Sequence, residues 1–149
     1  MSKKYIHYGS TAFNPEMWHD VKNGGNITKP TGGLWASPID AEFGWREWNA
    51  ESHFTTCSKE NSFVFTLSKK AKVERIYTLA DVDQLPQRNL GYATNMVAID
   101  FEKCVEEGID AIELCTLDNG LYWALYGWDC ESIIVLNKDV IEVKANANR

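Results

Sequence analysis

No stretch of the 149-residue chain approaches the ~20 consecutive apolar residues that a membrane-spanning helix needs. The opening "MSKKYIHYGS" has two lysines but not the apolar core of a signal peptide, so a cytoplasmic location is expected. Positive charge is also short. Fifteen Lys and Arg stand against 21 Asp and Glu, for a net charge of −6 and a pI near 5.0. A protein that tracks nucleic-acid phosphates carries a basic face. The only basic cluster, Lys69, Lys70 and Lys72 beside Arg75, reads as a solvated turn and strand edge. Bulk nucleic-acid binding is therefore not expected, and no membrane partner is.

Cysteine is sparse. Cys57, Cys104, Cys115 and Cys130 show neither CxxC spacing nor a disulfide framework. They read as reduced, mostly buried thiols of a cytosolic protein. His7, His19 and His53 are scattered without ligand spacing, so no metal site is expected. Internal repeats and low-complexity segments are absent too.

What is present is ordinary for a globular chain: 44% hydrophobic and 24% charged residues. The length favours one domain with a real core, placed at 1–144, with a frayed tail over 145–149. Six Trp and six Tyr are many for this length. They either fill the core or line a pocket for a flat ligand.

"KYIHYGS" reads as an opening strand ended by Gly9 and Ser10. "NPEMWHDV" has the marks of a short helix, with Asn14 as N-cap and Pro15 at the first helical position. Residues 22–33 hold four glycines and a proline, hence a loop. "LWASP" is a short strand stopped by Pro38. "DAEFGWREWNAESHF" reads as a helix capped by Asp40, and Gly44 within it signals close packing or ligand approach. "SFVFTLS" and "KVERIYTL" read as strands joined by a lysine-rich turn. "ADVDQLP" is a short helix or turn. "AIDFEKCVEEG" is a helix with Ile99, Phe101, Cys104 and Val105 on its apolar side. After the strand "DAIELCT", the turn "LDNG" and the aromatic "LYWALYGW", the last core strand is "ESIIVLN". "DVIEVK" adds a short edge strand. Strands and helices mix without regular βαβ alternation, so the expected class is α+β.

Three of these stretches, in order, carry a resemblance. "IHYGS" ends the first strand. "GGLWASPIDAEFGWREW" is a glycine-led strand followed by an aromatic-bearing helix. "ESIIVLN" puts Glu131 at the mouth of a strand. Together they resemble the ADP-ribosyltransferase superfamily, in its diphtheria-toxin-like and poly(ADP-ribose) polymerase branch. The motifs cover about a quarter of the chain, and their spacing spans nearly all of it. The resemblance implies split antiparallel β-sheets around a central cleft with flanking helices. It implies NAD as substrate, with release of nicotinamide and transfer of ADP-ribose to an acceptor, a protein in the first instance. The alternative within the same fold is a module that binds NAD, ADP-ribose or a related nucleotide without turnover. A compact acidic chain of this kind also fits a phage or toxin-like effector.

By the same resemblance Glu131 is the catalytic acid. Asp129, two residues before it, takes the place of a first acid that orients the acceptor. The cofactor-binding set is His7, Tyr8, Gly9, Ser10, Trp35, Ser37, Trp45 and Trp48. Gly9 would offer backbone groups to the nicotinamide amide, and the tryptophans would wall the ring. Arg46 would contact a pyrophosphate or face solvent. The chain departs from the family in two places. Tyr8, not His7, directly precedes the glycine, so Tyr8 faces the cleft unless a bulge turns His7 inward. Trp35 stands where the family has Tyr.

Overall fold

Short runs rich in Val, Ile and aromatic residues favour extended backbone because their side chains fit a pleated, half-buried surface. The computed structural model describes residues 3–24, 29–52, 58–89, 96–125 and 127–143. Its strands are β1 (Tyr5–Tyr8), β2 (Leu34–Pro38), β3 (Ser62–Leu67), β4 (Val73–Ile76), β5 (Ala111–Leu114), β6 (Ser132–Val135) and β7 (Ile141–Glu142). Its helices are α1 (Trp45–Ser52), α2 (Leu79–Asp83), α3 (Phe101–Glu106) and α4 (Leu121–Ala124). The class is α+β. No helix among the described residues is long and apolar enough to cross a membrane.

The strands form one curled sheet in the order β4-β5-β6-β2-β1-β3-β7. Alternation along them makes two apolar faces. Ile76, Ile112, Leu114 and Ile134 join Phe101, Cys104 and Trp128 of the helical side in one core. Tyr5, Ala36, Phe63, Phe65, Ile133 and Val135 build the other. β6, buried at all four positions, is the spine between them.

Several expectations need correction. The sheet is not wholly antiparallel, because β4 and β5 pair parallel. A parallel pair needs a long crossover, and the segment bearing α2 and α3 supplies it. β3 and β4 are consecutive in the chain but are not neighbours in the sheet. The lysine-rich turn carries the chain around the curl instead of closing a hairpin, and Ala71 and Val73 still pack into the core that holds Phe65. "NPEMWHDV" yields only a 3-10 turn, Pro15–Met17, although Asn14 does accept a hydrogen bond from the Glu16 N–H. α3 begins at Phe101 behind the cap Asp100, and Val105 is 45% exposed, off the buried side.

The second helix starts four residues later than expected, at Trp45. The reason is local. The Gly44 N–H is taken by Glu47 Oε1 and the Trp45 N–H by Ser37 Oγ, both at 2.9 Å. These side chains satisfy donors that a helix start leaves open. Asp40 lies in the preceding turn. The short edge strand after residue 138 is present as β7, on β3. Residues 53–57, which include the expected helix end and Cys57, lie outside the described residues, as does the tail 145–149.

Candidate functional site

β6, β2 and β1 are neighbours in the sheet although β6 (Ser132–Val135) lies far along the chain from β2 (Leu34–Pro38) and β1 (Tyr5–Tyr8). These three strands carry the three motifs. β2 pairs with β6 through Leu34, Trp35 and Ala36. Between β1 and β2 the ladder is short: only Tyr5 with Pro38 and Ile6 with Ser37. On its other side β1 pairs at all four positions with β3. The seam loosens at His7. There the imidazole takes over from the backbone, its Nδ1 donating to the Trp35 carbonyl at 2.6 Å. The ring also packs on Phe63, 5.2 Å between centroids. Burial holds His7 below the usual imidazole range.

Register assigns the faces. Ile6 opposes Ser37, so Tyr8 shares the face of Ser37 and Trp35, and His7 lies on the opposite face with Phe63. Gly9 follows with φ 121°, a backbone conformation that suits glycine. Its N–H is donated to the Asn61 carbonyl at 2.9 Å, which takes the group that the family reading offers to a ligand amide. Ser10 is half-buried, its Oγ 3.5 Å from the Ala12 carbonyl.

Glu131 sits one residue before β6 and is half-buried. Its backbone N–H donates to the Phe43 carbonyl, and its Oε2 accepts from the Phe43 N–H, each at 2.9 Å. Ser37, buried on β2, is the joint. Its hydroxyl donates to the Glu131 carbonyl at 2.8 Å and accepts from the Trp45 N–H at 2.9 Å. One side chain thus ties the acid, the β2 face and the start of α1 together. Gly44 makes this possible, because a Cβ there would lie 2.9 Å from both Cβ and Oγ of Ser37. The expected close packing at Gly44 is therefore present, just outside the helix.

Beside this joint the indoles interlock edge to face. Trp35 meets Trp45 at 6.4 Å and Trp128 at 5.0 Å, and Trp45 meets Trp48 at 5.7 Å. Trp128 is buried and stacks on Phe101. The Lys29 ammonium lies 4.9 Å from the Trp35 ring centroid and 5.0 Å from that of Trp45. Burial holds Lys29 below the usual ammonium range, partly offset by the charge of Asp129. Asp129 is half-buried and Arg46 is exposed on α1. Cys130 is fully buried and its thiol is pushed up to about 12, so it is not poised as a nucleophile.

The structure brings together Glu131, Ser37, Trp35, Trp45 and Trp48, with Asp129 reached through Lys29. Two hollows, of about 670 and 550 Å³, lie elsewhere, around Trp18, Asp20 and Lys138. No cluster of metal-ligating side chains occurs among the described residues. Three residues escaped the sequence reading. Lys29 lay in a loop with no pattern, and Trp128 had only its bulk to mark it. Glu113, inside the apolar run "AIEL", is fully buried yet receives Tyr5 Oη at 2.7 Å, Lys3 Nζ at 2.6 Å and Arg75 Nε at 3.3 Å. Comparison with protein-family models, with curated proteins and with solved structures finds no match for this chain.

Proposed function

We propose that the protein is a small mono-ADP-ribosyltransferase with the fold of that superfamily, acting on NAD. One observation carries this reading: the three motif strands, remote in sequence, lie side by side as β6-β2-β1, with Glu131 at the mouth of β6 and joined through Ser37 to the tryptophan face. In the reaction the bond between ribose C1′ and the nicotinamide nitrogen breaks, and its electron pair leaves with the ring. The sugar passes through an oxocarbenium-like state, as in glycoside hydrolysis. A nucleophile of the acceptor, a protein side chain in the first instance, bonds to C1′ and gives up its proton.

Glu131 stabilises the developing positive charge through the ribose 2′-hydroxyl, a contact of the kind whose removal costs on the order of 10²–10³ in rate. Trp35, Trp45 and Trp48 wall the nicotinamide ring, and Tyr8, Gly9 and Ser10 border the loosened seam between β1 and β2. Asp129 orients the acceptor.

The test is release of nicotinamide from NAD in the presence of a protein acceptor, compared with Glu131→Gln. Wild type is expected to turn over, and the variant to fall by about 10²–10³. Equal turnover in both removes Glu131 from the mechanism. A second reading is favoured by the bonds of Phe43 to Glu131 and of Asn61 to Gly9: a module of the same fold that holds NAD or ADP-ribose without cleaving it. Calorimetry separates the two, since the module binds saturably and releases no nicotinamide.

A further inference from the structure

We infer that Trp35 and Trp45 form a receptor for an organic cation, and that the ammonium of Lys29 occupies it in this structure as an internal competitor. The two indoles meet at 78° and so present two π faces to one corner. Each ring face carries negative potential, and a cation within about 6 Å of a centroid is attracted to it. Lys29 Nζ satisfies that distance for both rings at once. Asp129 adds an opposite charge to the same ammonium.

The receptor and its occupant differ in stiffness. Trp35 is braced by Trp128 and Trp45 by Trp48, in edge-to-face contacts. The Trp45 backbone is anchored on Ser37, and Trp35 belongs to a strand paired with β6. Lysine is a compact charge on a flexible four-carbon stem. It leaves the ring of water that an ammonium prefers, at a desolvation cost, to reach the corner. Its base is held nearby, because Lys22 and Thr31 exchange two backbone hydrogen bonds of 2.9 Å across the loop. The rigid part is thus the aromatic corner and the movable part is the cation that fills it. The lysine thus occupies the corner that a cationic ligand would take.

The ligand class follows from the chemistry: a compact or flat monocation of low hydration, such as a pyridinium or a quaternary ammonium. The inference deepens the reading above, since the oxidised nicotinamide ring is such a cation. It is tested apart from that reading by using ligands that cannot be cleaved. Calorimetric titration with 1-methylnicotinamidium, tetramethylammonium and neutral nicotinamide compares wild type, Lys29→Ala, Lys29→Gln and the double variant Lys29→Ala with Trp45→Leu. An occupant present nine-tenths of the time lowers apparent affinity about tenfold. Both lysine variants are therefore expected to bind 1-methylnicotinamidium about tenfold more tightly than wild type, with no gain for nicotinamide, and the double variant to lose the gain. A matching gain for tetramethylammonium marks the corner as a general cation receptor; a gain for the pyridinium alone marks it as selective for flat rings. Unchanged or weaker cation binding in both lysine variants overturns the inference, as does an equal gain for nicotinamide or a gain that survives loss of Trp45. Because no NAD is cleaved, failure of nicotinamide release would leave this result standing.

Discussion

Glu113 and Glu131 belong to neighbouring strands and are held in opposite ways. Glu113 lies inside β5, fully buried, with three side chains from β1, β4 and the N-terminal segment converging on it. Glu131 stands at the mouth of β6, half-buried, and among the described residues its carboxylate accepts from one backbone N–H, that of Phe43. Burial of the first requires its partners, because an ionised carboxylate taken from water must be compensated. Its reach is visible on Tyr5, whose hydroxyl is pushed well above its usual range by burial and by the Glu113 charge. The lesson is that the better-connected acid serves the fold. The loosely held one keeps the freedom that the proposed work on a ligand would use.

The comparison can be pressed by substitution, taken by expected effect on stability. Glu113→Ala leaves the Tyr5 hydroxyl buried without its acceptor and separates Lys3 and Arg75 from their counter-ion. Both cations are about 40% exposed and can rehydrate, which limits the loss. A destabilisation of about 3 kcal/mol is expected in urea unfolding. A loss below about 1 kcal/mol would show that the buried cluster contributes little. Gly44→Ala forces a Cβ against Ser37, which is buried and cannot swing away. Overpacking of this kind costs about 2 kcal/mol. The same change loosens the joint beneath Glu131, so nicotinamide release should fall with it; full activity in the variant would detach that joint from the site.

A smaller effect is expected from pH. The fold holds His7 below the imidazole value of 6.5, chiefly by burial. The unfolded chain then binds a proton near pH 6.5 that the folded chain resists, so stability increases with pH across that window. It is full above pH 6.5 and declines as pH falls from there toward the folded value. Melting temperature measured between pH 7.5 and 5 should drop, and His7→Gln, which keeps a donor for the Trp35 carbonyl, should flatten that part of the profile. The smallest change in stability belongs to Glu131→Gln, within about 0.5 kcal/mol of wild type, because the amide oxygen can still accept from Phe43. A loss as large as that of Glu113→Ala would make the two acids alike and erase the contrast.

Much of the fold was legible because local rules carry it. Alternating or continuous apolar runs placed β1, β2, β3, β5 and β6, and the cap Asn14 did mark a helical turn. The late start of α1 was not legible. The donors at its beginning are satisfied by Ser37 and Glu47, and Ser37 belongs to another element. The pairing of β4 with β5 was hidden for a similar reason: proximity in the chain suggested β3 as partner, and sheet order is decided by which faces bury together. Of the site, Glu131, Trp35, Trp45 and Trp48 were named from motif and type. Lys29 was not, because no spacing rule connects a loop lysine with two rings 6 and 16 residues further on.

By itself the sequence determined the class, the strands and the acid at the strand mouth, since these follow from side-chain periodicity and backbone preference along a few consecutive residues. Only the tertiary structure decided that Ser37 joins Glu131 to Trp45, that Lys29 fills the tryptophan corner, and that Glu113 is the buried hub. Those depend on distances across the sheet and on which charges lose water, and neither is a property of neighbouring residues in the chain.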